Sequence, residues 1–82
     1  MDKRYLQNIY DYLYDKRKEY YFADRKQKVS IESQVRNYSD NLDAEFYLLL
    51  HENAASGLFR GGFFESDLDR CISILKRMLD SE

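Results

Sequence analysis

His51 and Cys71 are the single histidine and the single cysteine among 82 residues, and they are the first candidates for chemistry. A histidine can act as a general base or a metal ligand, and a cysteine thiolate can act as a nucleophile. Catalysis also needs an orienting group nearby, and a metal ion needs further ligands. The sequence near His51 and near Cys71 supplies neither an orienting group for catalysis nor a set of metal ligands. We therefore expect a polar residue on a helix face and a buried thiol, and we predict no catalytic residue, bound metal or cofactor.

Three acidic residues alternate at Glu65, Asp67 and Asp69, as they do at the start of a calcium-binding loop. An EF-hand loop also needs glycine at its sixth position and glutamate at its twelfth. Counted from Glu65, those positions hold Arg70 and Lys76, so the pattern fails. The acidic residues instead indicate the start of a helix, where negative charge complements the helix dipole.

Residues 16–28 hold the densest group of basic side chains, and three aromatic residues lie among them. Cations that bind phosphates, beside rings that stack on bases, are typical of nucleic-acid binding. The simpler alternative is a solvated helix end whose tyrosines are buried. The candidate nucleic-acid-binding residues are Lys16, Arg17, Lys18, Arg25, Lys26 and Lys28.

Tyrosine is in marked excess, and six of the eight tyrosines lie within the first 21 residues. On one helix these rings cannot share a face, because Tyr5 and Tyr12 fall on one side of Leu13 and Tyr14 on the other. Tyrosine is enriched in interfaces, since it offers a large apolar ring with a polar hydroxyl. We predict a protein-binding surface that includes Tyr5, Tyr12 and Tyr14. The alternative is that these rings only cover the margin of a helical bundle.

A second aromatic group lies in the segment 58–64, where four large apolar residues surround Gly61 and Gly62. We interpret this segment as a loop, although a helix that continues through the glycines is the alternative. Apolar residues in an exposed loop favour contact with a partner. We assign them to the predicted surface, which gains Phe59, Phe63 and Phe64, with Arg60 as a polar anchor.

Helices must position these side chains, because the sequence contains no proline and only three glycines. Apolar residues recur at helical spacing over 2–28, 31–56 and 67–80, and Gly57 is expected to end the second helix. Ser30 and Ser66 are the predicted N-caps of the second and third helices. A break at 39–41, with a new helix starting near Leu42, is the alternative for the second helix.

The sequence therefore predicts a single all-α domain, a small three-helix bundle in which a long antiparallel hairpin is covered by a shorter C-terminal helix. Residues 1–28 carry eight basic and five acidic side chains, whereas residues 29–56 carry one and five. We expect this basic first helix to lie beside the acidic second helix.

These features favour a non-enzymatic protein-interaction module, such as a small adaptor, inhibitor or regulator that binds a larger protein or self-associates as an oligomer. A nucleic-acid-binding regulator is the alternative, although the net charge of −2 argues against a dedicated one. No small-molecule substrate is evident. A single cysteine and the lack of a long apolar run indicate a cytoplasmic location without a membrane partner.

Overall fold

The computed structural model of the protein describes residues 2–52 and 58–81. These ranges are helical apart from short connections and contain no strand, so the predicted all-α class is confirmed. The described part of the chain forms four helices, α1 (Lys3–Phe22), α2 (Arg25–Asp40), α3 (Ala44–Glu52) and α4 (Phe64–Ser81).

The first predicted helix, 2–28, is wrong in its C-terminal part, because a capping box divides it into two. The backbone of Ala23 is extended, and the Asp24 carboxylate accepts the Gln27 N–H at 2.8 Å. The Gln27 side chain in turn accepts the Asp24 N–H at 3.0 Å. This reciprocal pair starts a new helix at Arg25. Ser30, the predicted N-cap, lies inside α2 instead.

The second predicted helix, 31–56, is interrupted, and the alternative break is confirmed. α2 ends at Asp40, and Asn41 leaves the helical conformation while its side-chain amide donates to the Asn37 carbonyl at 2.8 Å. Asp43 then accepts the Glu45 N–H at 3.1 Å and so starts α3. The predicted end of this helix at 53–57, including Gly57, lies outside the described residues.

α4 begins three residues earlier than predicted, and Ser66 lies in its first turn rather than at its N-cap. The Phe63 carbonyl accepts the Asp67 N–H at 2.9 Å and forms the first helical turn. Gly62 precedes it with φ of 86°, a conformation that glycine adopts without strain. The loop interpretation of 58–62 is confirmed.

α1 runs antiparallel to both α2 and α4 and packs more extensively against α4 than against α2. On the α4 side, Arg17 donates to Glu65 and to Asp69, each at 2.7 Å. On the α2 side, Lys16 donates to the side-chain oxygen of Gln34 at 2.7 Å. The first helix does lie beside the second, as expected, but the ion pairs of Arg17 reach α4 rather than α2.

The core is formed by apolar side chains from all four helices and from the turn before α4. α1 contributes three residues at 3- and 4-residue spacing, as expected for a helix buried along one stripe. α3 lies beside the start of α1, where the rings of Tyr5 and Phe46 meet edge to face at 5.9 Å. The buried apolar residues are Leu6, Ile9, Leu13, Ile31, Val35, Phe46, Leu50, Leu58, Phe59, Phe64, Leu68, Cys71 and Leu75.

The turn before α4 is held by hydrogen bonds on both sides of Phe59. The carboxylate of Asp67, which is fully buried, accepts the Phe59 N–H at 3.1 Å. Arg36 donates from Nε to the Phe59 carbonyl at 2.8 Å. Phe59 has φ of 62°, which costs a bulky residue about 1–2 kcal/mol. Burial of its ring against Phe64, with centroids 5.5 Å apart, offsets that strain.

We expect Asp67→Ala to lower the free energy of unfolding by about 1–3 kcal/mol, because it leaves the buried Phe59 N–H without an acceptor. Asp67→Asn keeps an oxygen at this position, so its loss should be smaller. Urea denaturation followed by circular dichroism measures both, and Asp80→Ala on the exposed end of α4 is the control. Equal stability of Asp67→Ala and Asp80→Ala would contradict this account of the turn.

Candidate protein-binding surface

Tyr5 and Tyr12 are half-buried, and their rings contact other helices of the same molecule. The Tyr5 hydroxyl accepts the Asp43 N–H at 2.8 Å, which ties α1 to the start of α3. The Tyr12 ring stacks on Tyr38 of α2 with centroids 3.8 Å apart. Burial, followed by the nearby charge of Glu19, raises the pKa of Tyr12. These two predicted surface residues therefore present only part of each ring.

Tyr14 is more accessible, with 45% of its surface exposed. Its ring stacks on Tyr10 with centroids 5.8 Å apart, and the Lys18 ammonium lies 5.1 Å from its centre. The three side chains form a small aromatic and basic patch along the outer face of α1. Tyr14 is thus the member of the predicted α1 surface that the fold leaves most open.

Phe59 and Phe64 are buried in the core, so their assignment to an exposed surface is wrong. The physical reason is the turn itself, whose hydrogen bonds direct the Phe59 ring inward. Phe63 remains 55% exposed. Arg60 is exposed and donates to Asp40 at 2.7 Å, so it links the turn to the end of α2. The fold separates the four predicted loop residues into two core and two surface positions.

The most exposed aromatic side chains lie where α1 meets α2. Phe22 is 83% exposed and Tyr21 is 73% exposed, and their rings meet edge to face with centroids 5.0 Å apart. Val29, one turn into α2, is 63% exposed. Val29 lies two residues from buried Ile31 and therefore on the outer face of α2, so we give the name aromatic corner to Tyr21 and Phe22 alone. The sequence did not predict this corner, because the predicted first helix continues through Tyr21 and Phe22. In the structure α1 ends at Phe22, and Asp24 starts a new helix.

The predicted nucleic-acid-binding cations divide into two groups. Arg17 is paired with α4, and these hydrogen bonds, first that to Asp69, raise its pKa. Lys16 contacts Gln34 and Glu19, and Lys28 lies 5.2 Å from the centre of the Tyr20 ring. The exposed group consists of Lys18, Arg25 and Lys26, each within four residues of Phe22 in the chain, and the Lys18 ammonium lies beside Tyr14 and Asp15.

Arg25 and Lys26 occupy the first turn of α2, and no acidic residue shares that turn. A helix N-terminus carries partial positive charge, so these two cations oppose the dipole of α2. The Asp24 N-cap compensates in part, and α1 starts in a similar way with Lys3 and Arg4. The stability of α2 therefore does not explain why both cations stand beside the aromatic corner.

A groove of about 870 Å³ lies between α2 and the start of α4. Its walls include Glu32 paired with Arg36, and Glu65 and Asp69 paired with Arg17. Among the described residues, no buried polar side chain lacks a hydrogen-bond partner. These walls consist largely of paired charges, so we assign no ligand to this groove.

Comparisons with known families, curated proteins and solved structures found no match to this chain. The structure places His51 on the exposed face of α3, with its ring 6.0 Å from Tyr47. Residues 2–52 and 58–81 contain no cluster of side chains that could hold a metal ion. In the same ranges, no helix is both long and apolar enough to cross a bilayer.

Cys71 is buried on α4, as predicted, and burial raises the pKa of its thiol to about 12. The folded protein therefore keeps the thiol proton up to a higher pH than the unfolded chain does, in which the pKa of the thiol has its ordinary value of 9.0. The resulting stabilisation is complete below about pH 9 and is lost as the pH rises towards about 12. The thiol should also resist alkylation at about pH 8 until the protein unfolds.

We expect the free energy of unfolding to fall more steeply between about pH 9 and pH 11 in the wild type than in Cys71→Ala. The thiol adds a slope of up to about 1.4 kcal/mol per pH unit. Tyr12, Tyr20 and Tyr38 also have raised pKa values, mainly through burial, and they contribute equally to both proteins. Denaturation curves across this range provide the test, and identical slopes would show that the thiol is not protected.

Proposed function

We propose that this protein is a non-enzymatic protein-interaction module that binds a partner protein through the aromatic corner. The exposure of Phe22 carries this proposal, because a phenylalanine ring left 83% open to water is costly unless a partner covers it. Tyr21 extends the apolar area, and both rings lie at the C-terminal end of α1. Preformed aromatic groups of this kind are typical centres of binding energy.

The corner also indicates the chemistry of the partner. Arg25 and Lys26 are exposed within four residues of Phe22, so the matching surface combines an apolar pocket with an acidic rim. Such a module acts as an adaptor, inhibitor or regulator of the protein it binds. Tyr14 is a secondary contact in this proposal. A cytoplasmic location is part of it, and the single cysteine supports that location.

Two observations support the absence of catalysis in this proposal. The thiol of Cys71 is buried and stays protonated, so it offers no nucleophile at neutral pH. His51 is exposed, and its ring lies beside that of Tyr47, with centroids 6.0 Å apart.

Photo-crosslinking tests the corner directly. We expect benzoylphenylalanine in place of Phe22 to capture a protein when cells that express the full chain are irradiated. The same group in place of the exposed Lys76 on α4 is the matched control and should capture nothing specific. The Phe22 product should also disappear when Arg25→Glu and Lys26→Glu are added. Absence of a specific product at Phe22 would contradict the proposal.

The same charge changes should affect stability and binding in opposite directions. We expect Arg25→Glu and Lys26→Glu each to stabilise the protein by about 0.3–1 kcal/mol, because acidic residues suit the first turn of α2. Both changes should weaken capture by the partner. Lys76→Glu, distant from any helix start, is the control and should change stability little. Thermal melts in low salt measure the effect, and lower stability in both corner variants would contradict it.

Nucleic-acid binding is the second candidate, since the same corner combines exposed rings with Arg25 and Lys26. Four of the six predicted cations, Lys16, Arg17, Lys18 and Lys28, already have partners within the molecule, which favours the first candidate. Fluorescence anisotropy with a labelled single-stranded oligonucleotide distinguishes the two. This second candidate requires binding at about 50 mM salt that weakens steeply as salt increases.

A further inference from the structure

We propose that the partner of the aromatic corner is a second copy of this chain, which receives it in a groove beside α3. This inference rests on the proposed function and specifies its partner. The groove lies at the junction of α2 and α3 and has a volume of about 350 Å³. Its lining residues are Asp40, Leu42, Ala44, Tyr47 and Leu48.

The groove has the apolar character that a phenylalanine ring requires. Leu48 is 57% exposed, and Leu42 and Tyr47 are half-buried, so the groove has an apolar floor and one open side. Ala44, Tyr47 and Leu48 follow 3- and 4-residue spacing and therefore lie on one face of α3. A small side chain at Ala44 leaves room between them.

The charges of the two surfaces are complementary. Four of the six basic side chains in residues 15–29 already contact groups of the same molecule, which leaves Arg25 and Lys26 exposed beside the corner. Residues 40–52, around the groove, carry four acidic side chains and no lysine or arginine, and Asp40 is already paired with Arg60 at 2.7 Å. Glu45 and Glu52 lie three and four residues from Leu48, so they are its neighbours on the surface of α3. Lys3 and Arg4 lie near this end of the molecule, but neither lines the groove.

The two surfaces lie at opposite ends of α2, whose 16 residues span about 24 Å. One rigid molecule therefore cannot place its own corner in its own groove. The contact joins different surfaces of two copies, so it is heterologous and leaves a free corner and a free groove after each addition. Copies then add head to tail, and the assembly grows with concentration unless the chain closes into a ring.

Complementation between two variants tests this arrangement. Phe22→Ala removes the corner ring and keeps the groove, whereas Leu48→Glu blocks the groove and keeps the corner. Both residues are largely exposed, so both variants should fold like the wild type. Phe63→Ala, an exposed aromatic residue elsewhere, is the matched control. Sedimentation velocity at about 50 mM salt follows the assembly, and raising the salt should weaken it.

We expect wild type and Phe63→Ala to form species larger than a monomer as concentration increases towards about 1 mM, the affinity range of a small contact. Each of the other two variants alone should associate at least about tenfold more weakly. Their equimolar mixture should form a dimer that does not grow, because one intact corner meets one intact groove. A strictly monomeric wild type would overturn the inference, and so would a mixture that fails to associate.

The crosslinking experiment at Phe22 separates this inference from the proposed function. A product that contains two copies of the 9.9 kDa chain, crosslinked to α3, supports both. A product with a different protein, together with a monomeric wild type, overturns the self-association and leaves the proposed function in place. Absence of any product at Phe22 removes the proposed function and the inference together.

Discussion

The peptide groups on the two sides of Phe59 are the constraint on which the bundle depends. Asp67 of α4 holds the N–H and Arg36 of α2 holds the carbonyl, so one residue in a left-handed conformation connects two helices. A buried carboxylate is costly unless its hydrogen bonds are satisfied, and here it satisfies a backbone donor that would otherwise be buried alone. The turn therefore sends Leu58 and Phe59 into the core and brings the chain back alongside α1.

α1 is the helix against which α2 and α4 are both aligned. Its apolar stripe fills the centre, while Arg17 at its C-terminal half is held by two carboxylates of α4. On the other side, Tyr12 stacks on Tyr38 and Lys16 reaches Gln34, which aligns α2. Much of the aromatic and basic excess of the sequence is thus used within the molecule. The two most exposed aromatic rings, Tyr21 and Phe22, lie beyond these contacts, where α1 ends.

That exposed remainder has a consistent physical character. Phe22 and Tyr21 are exposed at one end of α2, near Arg25 and Lys26, whose charges in the first turn do not stabilise that helix. An apolar groove near carboxylates lies at the other end of α2. Departures from what local stability favours are expected where a surface serves binding. A rigid helix between the two ends keeps them apart, so each is available to another molecule rather than to the other end.

Helical periodicity is local information, and the sequence alone was sufficient for the all-α class, for the buried stripe of α1 and for the burial of Cys71. The break at Ala23 also has a local cause, the capping box of Asp24 and Gln27. Because the helical pattern of the sequence continues through these residues, the break is recognised only when both hydrogen bonds are seen. Local sequence did not indicate which of Phe59, Phe64 and Phe22 would be buried and which would be exposed. All three are large apolar residues near turns, and their burial depends on hydrogen bonds to Asp67 and Arg36 and on where α1 ends. Contacts between residues distant in the chain are properties of the tertiary structure, and they alone separate the aromatic core from the aromatic surface.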